Sequence, residues 1–227
     1  MKALLRKDAL LCLHPTCWLF LGLTAMLLIP SYPYLVACFF TCNSIYYMFN
    51  QSVGNNDLLF TAMLPVSKAQ VVKARVRFVV AIEMIMFLLL VPMIFVNHRL
   101  NPQGNPAGTD GSLTFLAAVL VLFTVFNAVF IPAFYRDETK SGKNFLVSTV
   151  SVFVWIILWE GFMITAAAAK DAVPFFRWVA ENLDAFPAAA GAWRTQLVAL
   201  GVGMLIYGMG TCLVTGKAVR IFEQVDL

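Results

Sequence analysis

The sequence predicts an all-α, polytopic membrane protein, a single transmembrane domain that fills residues 1–227. The composition is 61% hydrophobic and only 12% charged, about half the charged share of a soluble domain, and the mean hydropathy is +0.82. Six apolar runs account for about half of the chain. Crossing the roughly 30 Å core of a bilayer takes about 20 apolar residues, and these must be helical because lipid offers no hydrogen-bond partners.

Six transmembrane helices are therefore expected. The runs cover about residues 17–29, 34–49, 78–96, 113–134, 145–169 and 197–214. The first run is short, and it gains a turn from Leu10–Leu13 if Pro15 only kinks the helix. Pro30 and Pro33 withhold N–H donors and disfavour helix before them, so they predict a tight turn ahead of the second run.

The basic residues predict that both termini lie in the cytoplasm. With this orientation, 12 of the 16 Lys and Arg residues fall on inner segments. The outer segments hold only Arg99, Lys170, Arg177 and Arg194. Lys and Arg are preferentially retained on the cytoplasmic side of a membrane. The opposite orientation would place 12 of the 16 on the outer side.

The remaining global features favour no second class of partner. The net charge of +4 follows from the basic inner segments, which anionic lipid attracts, and it requires no nucleic acid. The five cysteines lack zinc-like spacing, and His14 and His98 lie far apart at opposite membrane edges. We therefore expect no metal site.

The inner segment Gln51–Arg77 carries the strongest local signals. Asn56 is a candidate N-cap for a short helix over Asp57–Leu64, and Asp57 lies favourably at the positive end of that helix. Pro65 ends it, since proline cannot donate to the helix ladder.

The third span begins with a second set of signals. Ser67 and Gln70 fit a capping box, in which the serine side chain bonds forward and the glutamine side chain bonds back. We expect the nearby cations to hold this end of the span at the inner headgroups; they are Lys68, Lys73, Arg75 and Arg77.

The short helix is too apolar for two turns on a free surface. Its apolar side chains cannot all face one side, and they are Leu58, Leu59, Phe60, Met63 and Leu64. One interpretation is a helix that lies on the membrane surface. The other is a protrusion that fits the socket of a soluble cytoplasmic partner.

Leu64–Lys68 followed by Val71–Arg75 resembles the leucine-proline-aliphatic-serine-basic signature of ABC transporter type-2 permeases. The chain is most similar to the small six-span permeases of bacterial peptide exporters, such as the phenol-soluble modulin exporter and lantibiotic or bacitracin resistance transporters. Lys7-Asp8, the charged turn Phe134–Lys140 and the tail Phe222–Asp226 resemble other segments of these permeases.

The resemblance implies a transport subunit that is not an enzyme. The chain has no GxxxxGK[ST] phosphate loop, and a separate dimeric ATPase would bind ATP and Mg while this chain binds no cofactor. The ATPase would push on a coupling helix over about residues 55–64. The residues implied to take part in coupling are Asn55, Asn56, Asp57, Leu58, Leu59, Phe60, Met63, Leu64 and Pro65. Lys2–Leu13 would form an N-terminal amphipathic elbow helix. A second permease copy or a sister permease would complete the path in the plasma (inner) membrane of a bacterium.

Two carboxylates inside apolar runs are candidates for the translocation path or its gate. Glu160 lies well inside span five, where an ionised carboxylate costs about 2.5–3.5 kcal/mol, so it should face protein or water or carry a proton. Either it is a neutral acid bonded to a neighbouring helix, or it serves the path or an outer gate. Trp155 and Trp159 flank its turn. Glu83 lies near the inner edge of span three, where we expect water or a headgroup to reach it.

The two longer outer segments differ. Residues 97–112 are rich in Asn, Pro and Gly and predict a flexible loop. Residues 174–186 predict an amphipathic helix with an Arg177–Glu181 pair on its polar side. Asp184 should share that polar side. This helix either anchors the chain in the outer interface or covers the exit of a path.

Two functions stay open at this stage. One is the membrane subunit of an ATP-driven exporter for an amphipathic peptide or a lipophilic antimicrobial. The alternative is a secondary carrier that uses Glu83 and Glu160 as a proton relay, or a membrane sensor or anchor, in each case without an ATPase partner. A carrier commonly has two similar halves, and no three-plus-three repeat is visible in this sequence.

Overall fold

A computed structural model describes residues 4, 7, 8, 15–63, 65–184 and 192–225, and every element within them is a helix. The elements in chain order are α1 Thr16–Gly22, a 3-10 turn Leu23–Leu28, α2 Tyr34–Gly54, α3 Asp57–Ala62, α4 Lys68–Leu100, α5 Leu113–Arg136, a 3-10 turn Glu138–Lys140, α6 Ser141–Ala169, α7 Pro174–Val179, a π-helical turn Ala180–Asp184 and α8 Ala192–Glu223. Most of the expected elbow helix Lys2–Leu13 lies outside the described residues, as do Leu64 and the side chain of Leu59.

Four of the described helices, α4, α5, α6 and α8, are long and apolar enough to cross a membrane. The all-α, multi-pass class is thereby confirmed. The first expected span is a shorter apolar helix of 13 residues, Thr16–Leu28. The helix α2 has 21 residues, but polar residues such as Asn43 and Asn50 interrupt its apolar surface. The count of six spans stays a prediction.

The helix α5 forms the centre of the bundle. In its most apolar stretch 72% of the residues are buried, compared with 33% in α4, 28% in the α6 region and 22% in α8. Phe126, Phe130 and Phe134 form a column of rings along α5, and the ring of Phe49 on α2 meets Phe130 and Phe134 at 5.2 and 4.6 Å between centroids. This edge-to-face packing joins α2 to α5.

The helix α8 packs on α5 through two glycines. A Cβ atom on Gly203 would lie 2.9 Å from Ala117, and a Cβ on Gly210 would overlap Thr124. The two glycines are seven positions apart, as are the two α5 residues they face. Small residues therefore bring the two backbones together at two levels, as expected where helices associate in lipid.

The bundle has two ends, which we name by their contents. The α3 end holds α3, the start of α4 and the end of α8. There Lys68 Nζ donates to the backbone oxygen of Val225 at 2.6 Å, and Phe222 contacts the ring of Tyr135 at 5.1 Å. The opposite end, the loop end, holds residues 101–112 and α7.

Of the two helix caps predicted from the sequence, one forms as expected and one does not. The capping box is present, since Gln70 N donates to Ser67 Oγ at 3.2 Å and Ser67 N donates to Gln70 Oε1 at 3.2 Å. Asn56 precedes α3 as expected, but the side-chain cap predicted for it is wrong. Its backbone is left-handed, with φ of 49°, and its side chain makes no capping bond. Asparagine is one of the few residues that tolerate this conformation.

Candidate functional site

The short helix α3 presents two different faces. Asp57, Leu58 and Thr61 are buried, with 4%, 4% and 1% of their surface exposed. Phe60 and Met63 are 71% and 75% exposed. Because side chains three positions apart share a helix face, the exposed pair forms one apolar projection.

The buried face of α3 is fixed by an ion cluster, which we define as Lys7, Asp8, Asp57 and Arg75. Arg75 Nη2 lies 2.6 Å from Asp57 Oδ2 and 3.1 Å from Asp8 Oδ1. Lys7 Nζ lies 2.8 Å from Asp57 Oδ1 and 3.5 Å from Asp8 Oδ1. Two cations therefore balance two carboxylates, as burial of charge requires.

Further contacts connect the ion cluster to α3 and α2. Lys7 Nζ donates to Thr61 Oγ1 at 2.8 Å on α3, and Ser52 Oγ donates to Asp57 Oδ2 at 3.3 Å from α2. The guanidinium of Arg75 lies 5.6 Å from the ring centroid of Phe49. Burial raises the pKa of Asp8, while Arg75 and Lys7 act against that rise.

One sequence-based expectation changes at this cluster. Arg75 was expected at the headgroups, but it is only 2% exposed, because it neutralises carboxylates from both the N-terminal segment and α3. Asp57 lies in the first turn of α3, as predicted, and it also forms ion pairs with Lys7 and Arg75.

Glu83 lies in the interior of the bundle and not at a watery edge. It is 0% exposed, because three helices surround it. Asn127 Nδ2 on α5 donates to Glu83 Oε1 at 2.8 Å, and Tyr207 OH on α8 donates to Glu83 Oε2 at 2.5 Å. The carboxylate therefore joins α4, α5 and α8 through two hydrogen bonds.

Glu160 lies at the loop end, where it binds the loop between α4 and α5. Its Oε2 accepts from Thr109 N at 2.6 Å and from Thr109 Oγ1 at 3.0 Å. A Cβ atom on Gly108 would overlap the Glu160 carboxylate, so only glycine allows this close approach. Glu160 thus faces protein, one of the alternatives that its position in an apolar run left open.

The two tryptophans bond to different neighbours. Trp159 Nε1 donates to Thr109 Oγ1 at 3.0 Å, and Trp155 Nε1 donates to the Ala118 backbone oxygen at 3.3 Å. Their ring centroids are 5.6 Å apart. Glu160, Trp155 and Trp159 therefore form one group at the loop end, whereas Glu83 belongs to a separate contact between three helices.

The loop of residues 101–112 makes defined contacts with neighbouring elements, and its flexibility stays a prediction. Asn105 Nδ2 donates to the Tyr32 backbone oxygen at 2.9 Å, and Thr109 and Ser112 are 0% exposed. Leu113 N donates to Gln196 Oε1 at 3.3 Å. The Asn, Gly and Pro residues that suggested mobility form turns, and several of their polar groups bond within the loop or to neighbouring elements.

The loop also joins the π-helical turn that follows α7, through the carboxylate of Asp184. Asp110 N donates to Asp184 Oδ1 at 2.9 Å, and both side chains line a cavity of about 670 Å³ that also contains Lys170. Burial raises the pKa of Asp184 to about 7, and the charges of Asp110 and Glu160 act in the same direction. Burial likewise raises the pKa of Asp110.

The outer helix is observed as α7 and its π-helical turn, over residues 174–184. Val179 is buried against Met163 and Ala166 of α6, while Phe175 and Trp178 are 57% and 47% exposed. Asp184 faces the loop between α4 and α5, because its carboxylate accepts a hydrogen bond from the Asp110 backbone N–H. It does not lie on the polar side of the outer helix that the sequence predicts for it.

Arg177 makes contacts other than the expected one with Glu181. Its Nε donates to the Lys170 backbone oxygen at 3.3 Å, and its Nη2 lies 3.9 Å from Asp171 Oδ1.

Several partners in these contacts were not identified from the sequence. Lys7, Thr109, Asp184 and Tyr207 all bond to elements distant in sequence, and no local pattern announces such contacts. Among the described residues, no three His, Cys, Asp or Glu side chains cluster so as to hold a metal ion.

Comparison with known proteins gives one finding. A family model described as ABC-2 family transporter protein matches residues 3–184. That segment includes the ion cluster, α3, Glu83, Glu160 and the loop end. Neither the curated proteins nor the solved structures give a match to the chain.

Proposed function

The chain belongs to the ABC-2 transporter family, and from this premise we propose that it is the permease subunit of an ATP-driven exporter. As a member of that family it is a multi-pass membrane component of an ABC transporter that associates with an ATP-binding subunit. The proposed cargo is an amphipathic peptide or a lipophilic antimicrobial. ATP and Mg would be bound by the partner, and this chain would supply the path through six spans.

The observation that supports coupling is the contrast between the two faces of α3. A segment that transmits force needs an exposed contact surface and a firm attachment to the spans. Phe60 and Met63 supply the apolar surface. Asp57 supplies the attachment, because its ion pair with Arg75 ties α3 to α4.

The proposed assembly contains two ATPase copies and two permeases, either identical or sister chains, in the plasma membrane of a bacterium with both termini cytoplasmic. The α3 end would then face the ATPase, and the loop end would face outward. In this arrangement Glu160, Trp155 and Trp159 lie near the proposed exit.

The first test separates recruitment from folding. Deleting Asp57–Leu64 would also remove Asp57 from the ion cluster, so the sharper change is Phe60→Ser with Met63→Ser. We expect ATPase affinity in co-purification or pull-down titration to fall at least about tenfold, since exposed apolar anchors dominate such interfaces. The thermal unfolding midpoint should stay close to that of the unchanged protein.

The matched control changes two exposed aromatics at the loop end, Phe175→Ser with Trp178→Ser. This pair should leave ATPase binding unchanged. If the α3 pair still recruits the ATPase with unaltered affinity, the coupling assignment is wrong.

The second test concerns the mode of transport. Inside-out proteoliposomes that contain the permease and the ATPase should accumulate a dye-labelled amphipathic peptide only with ATP. Accumulation by the permease alone, driven by a proton gradient, would favour the carrier alternative. Glu160→Gln keeps an acceptor oxygen for Thr109, so we expect this variant to assemble and to alter the transport rate. An unchanged rate would assign Glu160 to packing only.

A further inference from the structure

A groove between α4 and α8 opens at the α3 end and is separate from the projection on α3. Its volume is about 710 Å³. Three cations, Lys73, Arg77 and Arg220, line it together with an apolar wall that includes Val76, Val80 and Val219.

The three cations of the groove are exposed, and within residues 15–63, 65–184 and 192–225 none of them forms an ion pair with a carboxylate. Lys73 and Arg77 are four positions apart and share a face of α4, and Arg220 lies in the last turn of α8. Positive charge therefore converges on one rim of the groove, and no carboxylate among these described residues is paired with it.

The groove continues from this charged rim along the helices. Thr211, nine positions before Arg220, also lines it, and nine positions of α-helix span about 13 Å. The wall over that length is mainly apolar. A ligand that fits both parts is anionic at one end and hydrocarbon at the other.

We propose that this groove binds an anionic phospholipid, with its phosphate at Lys73, Arg77 and Arg220 and an acyl chain along Val76, Val80 and Val219. Arg and Lys are the side chains that bind phosphate oxygens, and basic pockets between membrane helices hold anionic headgroups in this way. A free phosphate would leave the apolar wall without a partner. A second copy docked by the same face would set three cations against three.

The test uses the full chain purified in detergent and stripped of lipid. Phosphatidylglycerol should raise the thermal unfolding midpoint and stay bound in native mass spectrometry, since a ligand that binds only the folded state stabilises it. Phosphatidylcholine and inorganic phosphate should do neither. Equal effects from phosphatidylcholine, or from phosphate alone, would overturn the proposal.

A triple variant tests the cations, with Lys73→Gln, Arg77→Gln and Arg220→Gln. It should lower the affinity for phosphatidylglycerol at least tenfold. The control removes the same charge from exposed positions off the groove, with Arg136→Gln, Lys143→Gln and Lys217→Gln, and should retain affinity. Equal losses in both variants would show non-specific attraction and overturn the site.

Cys212 gives a measurement on the unaltered chain. It lines the groove and is exposed, whereas the other described cysteines, Cys17, Cys38 and Cys42, are buried. Phosphatidylglycerol should slow alkylation of Cys212 by a maleimide several-fold, measured on its own peptide by mass spectrometry, and phosphatidylcholine should not. Protection that depends on protein concentration and not on lipid would instead identify the groove as a contact between two copies.

Discussion

The two ends of the bundle bury carboxylates by different means. At the α3 end, Asp8 and Asp57 meet Lys7 and Arg75, so opposite charges balance within the cluster. At the loop end, Asp184 accepts a backbone N–H and has Asp110 as its neighbour. The first arrangement makes a strong attachment that depends on every member, whereas the second responds to protons.

This difference matches what each end would do in a transporter. A segment that receives force from an ATPase needs an attachment that holds throughout the cycle. In the proposed orientation the loop end would meet an outer medium, and the pKa of about 7 for Asp184 would let this group respond to the pH of that medium. The comparison can be tested at three sites, beginning with the largest expected effect.

Removing the shared cation should do the most damage. Arg75→Met leaves Asp8 and Asp57 buried with only Lys7, and the loss of one partner from a buried ion pair costs about 3–5 kcal/mol. We expect a lower thermal unfolding midpoint in detergent and weaker ATPase-coupled transport. Arg136→Met removes an exposed cation at the same end and should change the midpoint little. Equal midpoints for the two variants would show that the ion cluster is not an attachment.

The loop end should lose stability as the pH rises. The pKa of Asp184 is raised in the folded chain, so the folded state binds this proton more tightly than the unfolded state does. Its contribution is complete below the ordinary pKa of aspartic acid and is lost as the pH passes through about 7. Since the pKa rises from 3.8 to about 7, the free energy of unfolding should fall by on the order of 4 kcal/mol over this pH range.

The measurement is the thermal midpoint of the purified chain between pH 4 and pH 8. Asp184→Asn should reduce the slope, because the amide keeps an acceptor oxygen for Asp110 N but does not titrate, while Asp110 and Asp8 still do. Asp171→Asn, whose side chain is 88% exposed, should keep the slope of the unchanged chain. A slope that persists undiminished in Asp184→Asn would assign the pH dependence to other groups.

The smallest loss of stability is expected at Glu83, which lies between the two ends of the bundle. Tyr207→Phe removes the hydrogen bond to Glu83 Oε2, and such bonds between membrane helices contribute about 0.6 kcal/mol on average. Tyr46→Phe removes a hydroxyl that has no hydrogen bond among the described residues and should cost less. A loss of stability for Tyr207→Phe that exceeds the losses expected at Arg75 and Asp184 would show that the Glu83 contact stabilises the fold more than either end does.

The sequence predicts features whose causes are local. The apolar runs predict α4, α5, α6 and α8 because the cost of exposing backbone in lipid depends only on each segment itself. The capping box at Ser67 and Gln70 is likewise contained in four residues. A short helix is present before Pro65, although the side chain of Asn56 does not cap it.

The site depends on contacts that no local pattern contains. Arg75 and Asp57 are 18 positions apart, and Glu83 and Tyr207 are 124 positions apart. Arg75 resembles an interfacial cation in sequence, and only tertiary packing places it beside two buried carboxylates. Thr109 lies in a loop that the sequence describes only as Gly- and Pro-rich, and its bond to Glu160 exists because α6 passes beside it.

The glycine contacts between α5 and α8 limit how the protein can move. Gly203 rests against Ala117, and Gly210 rests against Thr124, two turns further along the same pair. A side chain larger than that of glycine would collide with α5 at either level. We therefore expect α5 and α8 to move together as one rigid pair during transport, so that any movement that opens a path takes place between this pair and the helices around it.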